Sequence, residues 1–197
     1  TRTISLERED VAAVSRIASH VWASKALLAA AGFVLLLMAV AFVPKLQESS
    51  ALLLVLYGTV IGSMLLPTWL FQGMERMVPV SVINLIMQFS ILLGVFTLVH
   101  RPEDYIVYAA LISVSSIISG LTGALIAFHM FKLRPIIPSK RGICEALKES
   151  WVLFLSMASV SLYTAGNAFI LGLLTNNAAV GYYSVAEKIV KAILGLI

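Results

Sequence analysis

Long apolar runs separated by short polar turns set the pattern of this chain. Runs of about 18 or more apolar residues can cross hydrocarbon as helices. They occupy 26–43, 51–71, 78–99, 105–131 and 151–174, and a further helix begins near residue 182. Pro44 ends the first run and Pro67 falls near the end of the second. At 1.5 Å per residue the fourth would reach about 40 Å across a core of ~30 Å. It is therefore expected to tilt, to kink near Gly120 and Gly123, or to protrude. The predicted fold class is all-α: a polytopic transmembrane helix bundle whose consecutive spans are antiparallel neighbours.

Two stretches carry apolar residues on one face only. Val11, Val14, Ala18 and Val21 recur at helical spacing, as do Ile143, Leu147, Trp151 and Phe154. Each is predicted to lie along the membrane interface as an elbow leading into the next span; the simpler alternative is that they are the wetted ends of the spanning helices.

Composition agrees with a membrane solvent. The 197 residues are 60% hydrophobic and 12% charged, with a mean hydropathy of +0.97, whereas an average soluble domain is about 45–50% apolar and about 25% charged. A single cysteine, Cys144, excludes an internal disulfide and a structural zinc site. The net charge of +4 does not form a nucleic-acid stripe, because the bases sit at the ends of apolar runs. Ten cations (Arg2, Arg8, Arg16, Lys25, Arg76, Lys132, Arg134, Lys140, Arg141 and Lys148) fall on one set of turns, and two, Lys45 and Arg101, on the other. The first set is predicted to be cytoplasmic. Because the chain begins at Thr1 and stops at Ile197 within an apolar run, it is expected to be an internal piece of a longer protein.

The chemistry of the spans is that of amides and hydroxyls. The five runs hold no carboxylate or ammonium, which in mid-bilayer would cost about 2.5–3.5 kcal/mol. Ser116, Gly120 and Ala124 have the small-residue spacing of close helix packing. Asn84 and Gln88 lie four apart on one face with Ser81, and suit either interhelical hydrogen bonds or a hydrated cavity wall. In the last helix Glu187 and Lys191 are placed to pair. Lys188 either snorkels to the interface or offers a fixed charge to an anion. No nucleotide, zinc-protease or serine-hydrolase motif is present, and His20, His100 and His129 lie on separate segments. Neither a catalytic site nor a cofactor nor a metal is expected.

Residues 69–77 read WLFQGMERM and residues 172–188 read GLLTNNAAVGYYSVAEK. These stretches resemble the cytoplasmic turn and the later inter-span segment of Wzx-type polysaccharide-exporter flippases, in the multidrug/oligosaccharidyl-lipid/polysaccharide superfamily. The resemblance extends over the whole chain. It implies a transporter of about twelve to fourteen helices in two lobes around a central cavity, of which this chain is an internal fragment. Residues 1–25 would be a cytoplasmic amphipathic segment, 26–131 four spans closing the first lobe, 132–150 the inter-lobe linker, and 151–197 the start of the second lobe. The substrate implied is an undecaprenyl-pyrophosphate-linked oligosaccharide carried across the bacterial inner membrane for O-antigen, capsule or exopolysaccharide assembly. Its partners would be a coupling ion and other polysaccharide-assembly proteins, with no nucleic acid.

Within that frame Lys188 and Lys191 are candidates for phosphate, Asn84 and Gln88 for cavity hydration, and Glu187 for an ion site. In the turn of Trp69, Gln72, Gly73, Glu75 and Arg76, Gly73 is expected to supply a left-handed backbone, Gln72 to bond free helix ends, and Glu75 to cap or to pair with a base. A gating ion pair between Glu75 and Lys140 is the sharper alternative. A drug/cation antiporter, a peptidoglycan lipid flippase and a membrane glycosyltransferase or polymerase stay open as other readings. An antiporter calls for a membrane-embedded carboxylate, and an enzyme for larger loops than these. The topology is tested by single cysteines at His100 and Arg134, expected to react with an impermeant maleimide from opposite sides; labelling from one side would overturn it.

Overall fold

The computed structural model describes Ile4, residues 10–175 and residues 177–194. Arg2, Arg8 and Asn176, and the side chains of Lys45 and Thr164, lie outside that description. The elements are α1 (Val11–Phe42), α2 (Pro44–Gln47), α3 (Ser50–Leu65), α4 (Thr68–Gly73), α5 (Val78–Leu98), a 3-10 turn (Pro102–Asp104), α6 (Tyr105–Met130), α7 (Lys140–Leu174) and α8 (Asn177–Leu194). No strand occurs among the described residues. The chain divides into two compact units, 1–146 and 147–197, described separately below.

Element ends follow local chemistry. The Asp10 carboxylate accepts from the Ala12 and Ala13 amides at 2.8 and 3.1 Å, opening α1. Pro67 forces Leu66 into an extended conformation (φ −69°, ψ 112°) and splits the second run into α3 and α4. The Asp104 carboxylate gathers the His100 and Arg101 amides at 3.0 and 2.9 Å before α6. Beyond α6, Pro135 and Pro138 keep the chain out of a helix until Ser139.

Four stretches are long and apolar enough to cross a membrane: Val11–Phe42, Ser50–Gly73, Val78–Leu98 and Pro102–Met130. The chain is that of a multi-pass membrane protein. The fifth expected span falls within α7. Neither interfacial elbow is a separate element. Residues 11–22 continue into the first span as one helix of 32 residues, about 48 Å long, and residues 143–154 lie within α7. Uninterrupted backbone hydrogen bonding costs less than a break between a wetted turn and a buried one. α6 runs unbroken as helix through Gly120 and Gly123, and these glycines serve in packing.

In the first unit α1 packs on α3, α3 on α6, and α6 on α5. The central pair is parallel. Val55, Thr59 and Gly62 of α3 meet Ser113, Ser116 and Gly120 of α6 in ascending order, as expected when the second and fourth spans cross in the same direction. The Ser113 hydroxyl donates to the Val55 carbonyl at 2.6 Å and the Ser116 hydroxyl to the Thr59 carbonyl at 3.2 Å. Ser116 and Gly120 thus pack as predicted, and the seam continues through buried Gly123 and Ala127. A Cβ on Gly120 would collide with the Gly62 carbonyl oxygen and one on Gly62 with Ser116, whereas one on Gly94 of α5 would meet only the Leu111 side-chain tip at 2.9 Å.

The packed core lies at one end of the bundle, where α1 begins, α3 and α6 finish and α5 starts. It contains Ile4, Val14, Ala18, Leu70, Phe71, Val80, Ala127, Phe131 and Leu133. That is the end carrying the larger set of cations. Elsewhere large apolar side chains such as Leu35, Leu93 and Leu125 face outward at more than 60% exposure, as lipid-facing residues do. Gly120→Ala should cost about 1–3 kcal/mol by overpacking against backbone, and Gly94→Ala much less because a leucine tip can move. Thermal unfolding in detergent checks this order, which equal losses would contradict.

Candidate functional site

The 69–77 turn is the hub of the first unit. Trp69 stands edge-on to Trp22, with ring centroids 6.3 Å apart, and Trp22 stacks on Phe128 at 5.2 Å. Phe71 meets Phe131 at 5.3 Å. Leu70 and Phe71 are wholly buried. The Trp22 indole donates to the Leu65 carbonyl at 3.3 Å, so its N–H satisfies a carbonyl freed by the break at Pro67. The buried Trp69 Nε1 has no partner among the described residues.

The end of α4 is closed by a Schellman turn. The Arg76 amide donates to the Phe71 carbonyl at 2.9 Å and the Glu75 amide to that of Gln72 at 3.2 Å. The left-handed position of such a turn comes after the last helical residues, and it falls on Glu75 (φ 56°), not on Gly73. Gly73 is helical and buried, which corrects the expectation for it. Gln72 and Arg76 are exposed. α6 ends in the same way: the Leu133 amide reaches the Phe128 carbonyl at 3.1 Å, with Lys132 at φ 51°. Glu75, Arg76 and Lys132 border one cleft of about 720 Å³, and Lys132 joins Asp10 and Arg134 in a neighbouring cleft of about 750 Å³. Arg76 and Lys132 are the cations that border this cleft with Glu75. Lys140 opens α7 instead.

Sequence reasoning missed the role of the 132–143 stretch within the first unit. Ser15 and Ser19 of α1 accept the Arg134 and Ile136 amides at 3.0 and 3.3 Å. The Ser139 hydroxyl and His20 Nε2 are 3.4 Å apart, Ser24 donates to the Ile143 carbonyl at 3.4 Å, and Gly142 lies directly against the His20 ring. The signal was the recurrence of Ser15, Ser19, His20 and Ser24 along a helix whose other face is apolar.

Asn84 and Gln88 are both exposed on α5. Neither makes a hydrogen bond within the described residues. Ser81, on the same face, gives its proton to the Met77 carbonyl at 3.4 Å. Gln88 borders a groove of about 480 Å³ with Leu85, Phe89, Leu92 and Tyr108. In the second unit Lys191 Nζ is 2.6 Å from Glu187 Oε1, the pairing expected from their spacing. Lys188 is exposed and has no ion pair among the described residues. The amides and the cations therefore belong to different units. No group of three potential metal ligands occurs among the described residues.

The model of a family described as polysaccharide biosynthesis protein matches residues 1–197. A curated protein of Escherichia coli (strain K12) named "Putative O-antigen transporter" is 24% identical over 185 residues, covering 92% of this chain and 45% of its own length. One of the same name from Shigella dysenteriae is 31% identical over 136 residues, covering 69% of this chain and 34% of its own. The chain thus spans less than half the length of these relatives. No solved structure matches it.

A non-glycine residue in the left-handed region carries a steric cost of about 1–2 kcal/mol. Glu75→Gly and Lys132→Gly should therefore each raise stability by about 0.5–1 kcal/mol, while Gly73→Ala should not. Unfolding midpoints in detergent check this, and an unchanged or lower midpoint for both glycine variants would refute it.

Proposed function

This chain belongs to the polysaccharide biosynthesis protein family, and from that membership we propose that it is part of a flippase. The flippase moves undecaprenyl-pyrophosphate-linked oligosaccharide repeat units across the bacterial inner membrane for O-antigen, capsule or exopolysaccharide assembly. The relatives' names support transport of a polysaccharide precursor rather than catalysis. The observation that carries the mechanism is the exposure of Asn84 and Gln88, without hydrogen bonds among the described residues, on a spanning helix that holds no charge. An amide in hydrocarbon needs a hydrogen-bond partner, and these two find none within their own unit. They fit the wall of a hydrated cavity, where water and sugar hydroxyls satisfy them.

The pyrophosphate carries the charge that cannot cross hydrocarbon unaided. Lys188, which has no ion pair among the described residues, is the group we assign to hold it, with Lys191 as a second cation. The prenyl tail stays in lipid. Residues 132–150 serve as the linker between lobes, and the cleft of Glu75 and Lys132 forms part of the cytoplasmic gate. A coupling ion drives the cycle, and other polysaccharide-assembly proteins take up the product. An antiporter is the weaker reading, because the four apolar helical stretches 26–42, 50–65, 78–98 and 105–130 hold no carboxylate to bind its ion.

The Asn84→Leu/Gln88→Leu pair, and separately Lys188→Gln, should lower O-antigen display by about tenfold or more in cells that depend on the full-length protein. Membrane abundance should stay unchanged. Wild-type display by the amide pair would remove the cavity reading, and by the Gln variant would remove Lys188 from the mechanism.

A further inference from the structure

A second polar feature of the first unit lies between α1 and α3, on the other side of the α3–α6 pair from the α5 amides. Between α1 and α3 runs a groove of about 420 Å³ lined by Lys25, Leu28, Tyr57, Val60, Ser63 and Met64. Lys25 is half-buried there and has neither a carboxylate nor a hydrogen-bond partner among the described residues. A lysine that simply snorkels would extend its ammonium into water; this one stays beside the groove wall, three residues beyond the aromatic cluster at Trp22. The other polar groups have already committed their protons. The Tyr57 hydroxyl donates to the Ala29 carbonyl and the Ser63 hydroxyl to the Val60 carbonyl at 2.9 Å. Their oxygens are left as acceptors.

The groove therefore offers one positive charge, two acceptor oxygens and an apolar rim, with Leu28 and Val60 at 55% and 40% exposure. We propose that it binds the headgroup of an anionic glycerophospholipid of phosphatidylglycerol type. Lys25 holds the phosphodiester, Ser63 accepts from a glycerol hydroxyl, and an acyl chain lies along Leu28, Val60 and the Tyr57 ring. Charge matching selects this occupant over the prenyl pyrophosphate: one lysine balances the single charge of a phosphodiester, while a pyrophosphate brings more charge than the groove can neutralise. The bound lipid fills the gap between α1 and α3 on the side where Tyr57 and Phe33 (ring centroids 5.1 Å apart) hold the two helices together. The site is independent of what the protein carries.

The test uses the full-length protein in phosphatidylcholine vesicles, with spin-labelled phosphatidylglycerol and spin-labelled phosphatidylcholine as probes. The wild type should prefer phosphatidylglycerol. Lys25→Gln should reduce that preference about fivefold, the size expected of a single cation near an anionic lipid, and Lys25→Arg should keep it. Val60→Trp, which fills the groove and leaves the charge in place, should also lose it. Thermal unfolding of each variant verifies folding, so Val60→Trp and Lys25→Arg decide the matter if Lys25→Gln fails to fold. An unchanged preference in Lys25→Gln would overturn the proposal. So would a loss confined to Lys25→Gln with Val60→Trp unaffected, which is general surface attraction. Displacement of the labelled lipid by undecaprenyl pyrophosphate or inorganic phosphate at lower concentration than by phosphatidylglycerol would overturn it as well.

Discussion

In hydrocarbon nothing drives one apolar helix against another, because lipid tails solvate leucine as well as leucine does. The parallel contact between α3 and α6 must therefore hold by close backbone approach and by hydrogen bonds that lipid cannot replace. Gly62 and Gly120 permit the approach. Ser113 and Ser116 add the bonds, each donating to a carbonyl of the partner helix. The remainder of the first unit is arranged around this pair: α1 lies on the outer side of α3 and α5 on the outer side of α6.

At the cation-rich end the rules resemble those of a soluble protein. Chain breaks at Pro67 and after Met130 expose backbone groups, and water is close. The response is a true core of Phe71, Leu70, Val80 and Phe131, with the Trp22 indole satisfying a carbonyl at the break. The same end presents Glu75 and Lys132 at strained turn positions beside one cleft. This gives the proposed gate a physical basis: the aromatic hub fixes the turns, and the turns fix the charges.

The structure also separates polar groups by what satisfies them. The hydroxyls of Ser113, Ser116, Ser159 and Ser90 are all bonded to backbone carbonyls, so their presence in spanning helices needs no ligand. Asn84 and Gln88 differ, since both are exposed and neither makes a hydrogen bond among the described residues. Lys25 differs again, as a half-buried cation between α1 and α3 rather than beside the α5 amides.

Hydropathy and proline positions alone located the apolar spans: α5 and α6 begin where the runs begin, and the two serine–glycine packing positions of α6 were legible from their spacing. The bilayer makes this possible, because length and polarity must match its thickness at every crossing. The left-handed residue of the 69–77 turn was misplaced, since a Schellman turn puts it relative to the last hydrogen bond and not at the nearest glycine. The docking of 134–143 on the serines of α1 and the half-burial of Lys25 were not legible either. Each depends on side chains more than thirty residues apart in the chain, and periodicity within one helix carries no information about which distant backbone will lie against it.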